Sequence, residues 1–151
     1  MEIDLARLDE HVGRELGVSP WLAVTQDLVD EFAKVTRDDQ YIHVDPARAA
    51  ETVYGGTIAH GFLALSMLTH FWESGMGIRM TETKMSINYG FDKIRFLNPV
   101  RVGKRIRGRS TLKSVHRPKP DQVRVCQDVI VEIEGEDKPA LVAEWITLIL
   151  R

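Results

Sequence analysis

Two periods divide the chain. Up to about residue 77, apolar residues recur at helical spacing; from Met85 onward they alternate with polar ones. Leu5, Leu8, Val12 and Leu16 predict a short helix over 6–16, and Ser19-Pro20 interrupts the chain after it. Residues 21–24 read as extended. Thr25 then offers a hydroxyl to the first turn of a helix, Asp27 sits well against its dipole, and Leu28, Phe32 and Val35 form one apolar face that ends near Thr36. Asp45-Pro46 is a second helix start, with Asp45 as cap and Pro46 in the first position, predicting a helix over 47–52 that closes before Gly55-Gly56. The stretch 61–72, G-F-L-A-L-S-M-L-T-H-F-W, is apolar almost all round. It is too short to cross a membrane, so a helix here must be surrounded by protein. Gly75 and Gly77 supply its stop.

In the second half Met85, Ile87 and Tyr89 alternate with Ser86 and Asn88, and Ile94 and Phe96 with Lys93 and Arg95. Ile106, Gly108, Ser110 and Leu112 oppose Arg105, Arg107, Arg109 and Thr111. Val123, Val125, Val129, Val131 and Ile133 make another face, and 141–150 is a strand buried on much of both faces. Asn98-Pro99, 116–121 and 134–139 read as turns. Helices followed by a run of strands give an α+β layout, an antiparallel sheet curved around one central helix.

Composition adds bounds. The 151 residues suit a single domain over 1–151 with a real core, and 44% hydrophobic with 28% charged residues argues against disorder. A formal charge of −2 gives no general attraction for nucleic acid or an anionic membrane. A single cysteine, Cys126, forbids an internal disulfide. The first ten residues are acidic and lack an apolar run, so no secretory signal is read there, and a cytoplasmic location is expected.

Two polar stretches carry the candidate chemistry. In T-R-D-D-Q-Y-I-H-V-D-P (36–46), Asp38 and His43 are five residues apart on a segment read as non-helical. Such a loop can turn a carboxylate and an imidazole onto one water and move its protons. From the spacing alone, a turn-forming Asp38 and a surface His43 are the more ordinary reading. Asp39 reads as solvated and Asp45 as the cap, and a metal site from His43, Asp45 and His60 fits no zinc spacing. In G-G-T-I-A-H-G (55–61), Gly61 opens the central helix, where free N–H groups and the positive dipole end gather. A residue without a side chain lets a carbonyl oxygen reach that N–H, and equally lets the helix pack closely on the sheet. His60 reads as a packing residue. Arg105, Arg107 and Arg109, with Arg101 and Lys104 near, are open to two readings: contacts to phosphate, or a solvated face that charge protects from edge pairing.

F-A-K-V-T-R-D-D-Q-Y-I-H-V-D-P, I-A-H-G-F-L and I-R-F-L-N-P-V-R-V-G (94–103), in this order, resemble the MaoC-like (R)-specific enoyl-CoA hydratases, in the flavour of the NodN-like branch. The resemblance runs from about Trp21 to Arg151. It implies the hot dog fold, a homodimer joined sheet edge to sheet edge, and reversible hydration of a trans-2-enoyl-CoA or related acyl thioester to the (R)-3-hydroxyacyl product. It implies Asp38 and His43 as the catalytic pair that holds the water, without assigning base and acid, and the Gly61 N–H as donor to the thioester carbonyl. Gln40, Ile58 and Phe62 are the further substrate-binding candidates, with Ile42 and Leu63 beside them in an apolar slot. Ser66 or Thr69 is the candidate for a helix hydroxyl at the site. No cofactor and no metal are expected. The familiar motif has Asn-Pro between the acid and the histidine, where this chain has Gln40 and Tyr41, and Arg37 stands where a small residue is common. Gln40 keeps an amide for hydrogen bonding; the departure bears on chain-length preference. The competing readings are a hot dog thioesterase and an acyl-CoA-binding module without turnover.

Overall fold

The computed structural model describes residues 2–151. Strand β1 (Glu2–Ile3), a 3-10 helix (Leu5–His11) and strand β2 (Glu15–Val18) open the chain. The helix predicted over 6–16 stops at His11, because Gly13 turns at a φ of 84° and Leu16 enters the sheet instead. Strand β3 (Leu22–Ala23) leads to helix α1 (Gln26–Thr36). Thr25 caps α1 as expected, its Oγ1 accepting the Leu28 N–H at 3.2 Å. The apolar face is rotated from the expected one: Val29 and Ala33 are buried, while Val35 is 80% exposed. Helices α2 (Tyr41–Val44) and α3 (Pro46–Ala50) follow, with Asp45 accepting the Arg48 N–H at 3.1 Å. Helix α3 ends at Ala50, two residues earlier than the pattern suggests.

The central helix runs as α4 (Gly61–Ser66), α5 (Leu68–Phe71) and a wider π-type turn (Trp72–Met76), in which Gly75 takes a φ of 132°. It is not enclosed on all sides within this chain. Leu63, Ala64, Leu68, Phe71 and Met76 are buried, but Phe62, Ser66, Thr69 and His70 face outward.

Strand β4 (Arg79–Met80) pairs in parallel with β1. The main sheet consists of β5 (Met85–Phe96), β6 (Arg105–Lys119), β7 (Gln122–Ile133) and β8 (Leu141–Leu150) with β2 and β3, in the order β2-β6-β7-β8-β5; β3 also pairs with β6. Its neighbours are antiparallel. Residues 116–119, expected in a turn, continue β6, and Pro120 and Asp121 alone make the reversal. The fold is the hot dog arrangement, an antiparallel sheet with a helix packed on it.

The alternation in β6 works as read. Ile106, Ser110 and Leu112 are buried inward with Gly108. A Cβ at Gly108 would stand 2.9 Å from Phe71 Cβ and 2.5 Å from Met76 Sδ, so the helix lies directly on this strand. Under the helix one apolar cluster joins Leu63, Leu68 and Phe71 to Val129, Val131, Leu141 and Trp145. A second, under the N-terminal segment, joins Leu5, Leu8 and Leu16 to Leu112, Val123, Val125 and Ile149. On the outer face the three arginines are each matched by acid. Arg105 bonds Glu134, Arg107 bonds Glu132 at 2.6 Å, and Arg109 bonds Glu15 and Glu132. These carboxylate partners favour the solvated, charged face over a phosphate site, but the expected protection from edge pairing does not apply, because β6 is paired on both sides, with β7 and with β2 and β3.

Candidate active site

The first polar stretch is built by ending one helix and starting another. Helix α1 stops because Arg37 takes the left-handed conformation, φ 62° and ψ 26°, which turns the chain back on itself. Residues 38–40 carry no regular structure, and α2 begins at Tyr41, so His43 lies on a helical turn and not on the loop expected for it. Three hydrogen bonds fix that turn. The His43 N–H donates to the Gln40 carbonyl at 2.9 Å. Gln26 donates its amide to the His43 carbonyl at 2.7 Å and accepts the Thr57 hydroxyl at 2.6 Å. Gln26 went unread in the sequence, since nothing local marks a bond spanning 17 residues.

The His43 ring is buried, and its Nδ1 lies 2.7 Å from the Ile58 carbonyl. A carbonyl only accepts, so Nδ1 carries the proton and Nε2 keeps the lone pair. The Asp38 side chain is 54% exposed. One oxygen of Asp38, one ring nitrogen of His43 and one of His60 lie within 4.8 Å of one another. Two hydrogen bonds of about 2.8 Å at a tetrahedral oxygen span about 4.6 Å, so a single water bonded to both Asp38 and His43 fits within that limit.

Beside the pair is a cavity of about 280 Å³. His43, Ile58, His60, Gly61 and Ala64 line one side, and Phe96, Asn98, Val100 and Ala140 the other. Gly61 is the first residue of α4, so its N–H has no acceptor within the helix and lies at the positive dipole end. The wall around it is apolar, which strengthens a hydrogen bond to any oxygen gaining charge there. Of the residues proposed from the sequence, His43, Gly61 and Ile58 are brought together around the cavity, with Asp38 beside His43 and outside the lining. The others are not. Gln40 is exposed, and its side chain makes no capping bond. Phe62 is 65% exposed and lies outside the lining, its ring edge-on to Phe96 at 5.7 Å. Leu63 is in the core, and Ile42 contributes a carbonyl to the Ile58 N–H. Neither helix hydroxyl enters: Thr69 faces outward, and Ser66 donates to the Phe62 carbonyl of its own helix at 2.7 Å.

Most of the lining went unread, Phe96 and Asn98 among it. The alternation that put Phe96 on a strand gave no sign that it would meet Gly61, yet a Cβ at Gly61 would stand 2.9–3.2 Å from three atoms of the Phe96 ring. Asn98, read as a turn, holds the rim by donating to Glu136 at 2.6 Å and to the Lys138 carbonyl at 3.2 Å.

The donor set of Asp38, His43 and His60 does not suit a metal ion. The two imidazoles are stacked, with centroids 3.8 Å apart and planes 25° apart. A ring nitrogen binds in its ring plane at about 2.0–2.1 Å, and two nearly parallel planes do not meet that close. Asp45 is committed to its cap.

Burial holds the His43 imidazole below its ordinary pKa of 6.5; the bond to the Ile58 carbonyl opposes this, His60 adds to it, and Asp38 opposes it. The neutral ring is therefore the resting form near neutrality. The unfolded chain takes up this proton more readily than the folded one. Stability from this residue is thus full above pH 6.5 and falls as pH drops below it toward the lowered value. Urea unfolding of the wild type should lose stability between pH 7 and pH 5.5 by more than His43→Gln does; equal losses would show that His43 titrates normally.

Comparison with known proteins bears on the fold and the family. The profile of the family described as MaoC like domain matches residues 7–133. Nodulation protein N of Rhizobium leguminosarum bv. viciae is 47% identical over 149 residues, covering 98% of this chain and 92% of that one. The 3-hydroxyacyl-thioester dehydratase Z of Mycobacterium tuberculosis is 42% identical over 142 residues, covering 94% and 93%. Among solved structures, the (R)-hydratase from A. caviae involved in PHA biosynthesis superposes with a TM-score of 0.73 at 24% identity, covering 90% of this chain and 94% of that chain.

Proposed function

This chain belongs to the MaoC-like dehydratase family, and from that premise we propose that it reversibly hydrates a trans-2-enoyl thioester, such as an enoyl-CoA, to the (R)-3-hydroxyacyl thioester. The observation that carries the reading is the approach of the Asp38 carboxylate and the His43 imidazole to within 4.8 Å, beside the cavity that Gly61 lines. The thioester carbonyl accepts the Gly61 N–H, which draws charge from the double bond and leaves the β-carbon open to attack. The bridging water attacks there. One member of the pair takes a proton from the water, and that same proton, shared across the pair, passes to the α-carbon on the same face, so the pair ends in the state in which it began. The lone pair on His43 Nε2 and the half-exposed carboxylate can each accept that proton. Ile58, Ala64, Val100 and Ala140 supply the apolar wall against which the acyl chain lies.

The test is an enoyl-CoA hydration assay across chain lengths. Loss of enoyl absorbance without release of thiol, with (R) product, is the expected result. Release of thiol would mark a thioesterase, binding without turnover at any length a carrier module, and mainly (S) product would break the assignment of the pair.

The working form in this reading is a homodimer joined through β5. That strand is the edge of the sheet and exposes Met85, Ile87, Tyr89 and Phe96. An edge strand of twelve residues carrying apolar side chains invites pairing with another copy. The outward Phe62 on α4 packs on Phe96, at the end of this edge, and continues the same apolar surface. Sedimentation should show about twice the chain mass; a monomer at micromolar concentration would contradict it.

A further inference from the structure

We infer that His60 is a positioning residue that couples all three parts of the proposed site, an inference that rests on the hydratase reading above. Its Nε2 lies 2.8 Å from the Asp38 carbonyl. Because a carbonyl only accepts, Nε2 carries a proton and donates it, tying down the turn from which the Asp38 carboxylate projects. That turn has little else to hold it: Arg37 is in the left-handed conformation, the Gln40 side chain makes no cap, and the Asp38 side chain is half exposed. The same ring stacks on His43, with centroids 3.8 Å apart, and is backed by Phe32 of α1 at 5.0 Å. His43 therefore cannot rotate away from Asp38 without leaving His60. Through its own peptide bond His60 precedes Gly61 and is the cap residue of α4. One side chain and its backbone thus set the carboxylate, the imidazole and the amide relative to one another, from segments 22 and 17 residues apart in the chain.

A packing role alone does not account for a histidine here. The residue is 3% exposed, and its Nδ1 is buried with no hydrogen-bond partner among the described residues. An unpaired ring nitrogen in such a place costs stability, so a space-filling role would be met better by an apolar ring. What phenylalanine lacks is the N–H that reaches Asp38.

Two substitutions separate the contributions. His60→Phe keeps a ring for the stack and removes the donor; His60→Gln keeps an N–H at similar reach and removes the ring. The expected result for His60→Phe is a fall in kcat of about 10²-fold with KM nearly unchanged, since a displacement near 1 Å at a reacting pair has that effect. His60→Gln should recover much of the loss. Wild-type kcat in His60→Phe, or no recovery in His60→Gln despite a native circular dichroism spectrum, would overturn the inference. A measurement on the wild-type protein stands apart from folding of the variants and from turnover. Long-range proton–nitrogen spectra of labelled histidines should find the proton on Nε2 of His60 and on Nδ1 of His43. A lone pair on Nε2 of His60 would also overturn the inference. Absence of hydratase activity in the wild type, with these tautomers found, would count against the proposed reaction and leave the positioning geometry intact.

Discussion

Asp38→Asn and His43→Gln each lower the rate of enoyl-CoA hydration by about 10²- to 10⁴-fold, the range that positioned acid–base catalysis supplies. The loss falls on kcat, because neither side chain forms the apolar wall that grips the acyl chain. Asp38→Asn is the cleaner of the two. The carboxylate is half exposed, and the Asp38 group bonded to His60 is the backbone carbonyl, which the substitution keeps. Its unfolding midpoint should therefore match the wild type. His43→Gln loses a buried ring bonded to Ile58 and stacked on His60, and some stability goes with it. Because the pair acts on one water, the double variant should be little slower than either single one. Near wild-type rates in both single variants would remove the pair from the reaction; losses that multiply in the double variant would show two independent groups.

Gly61→Val should cost about 10²- to 10³-fold in kcat/KM, comparable to losing one oxyanion donor. The structure supplies a second way for this variant to fail. The new Cβ would meet the Phe96 ring at 2.9 Å, so the helix start or the ring must shift. Phe96→Ala removes that obstacle and separates the two causes. If Gly61 serves the carbonyl, most of the loss from Gly61→Val persists in the Phe96→Ala background, since the valine still crowds the amide. If Gly61 only makes room for the ring, activity returns there. The second outcome would leave the charge on the thioester oxygen without its proposed donor.

What the sequence made legible was local. Thr25 and Asp45 were readable as caps because a cap acts on amides two or three residues away. The inward face of β6 was readable because alternation is a property of one strand. The Asp38/His43 pairing was legible only as a possibility of the spacing; the resemblance gave it a role. Contacts over long separations left no local trace. The Gln26 bond to His43, the His60 bond to Asp38 and the contact of Phe96 with Gly61 each depend on how distant segments pack. The expected burial of 61–72 failed for a related reason. Apolar periodicity states that Phe62 belongs against protein but not whose protein, and this chain leaves that face open beside its own edge strand. Phe62 and Gln40 missed the cavity because a residue's place next to a motif in sequence does not fix the direction of its side chain. Much of the lining came instead from 96–100, at the end of the edge strand and just after it.

The most direct measurement is a crystal structure of Asp38→Asn with a bound enoyl-CoA. The account predicts one water within hydrogen-bond distance of both residue 38 and His43 Nε2, facing the β-carbon, with the thioester oxygen on the Gly61 N–H. A thioester oxygen held elsewhere, or separate waters on the two side chains with neither facing the β-carbon, would contradict it.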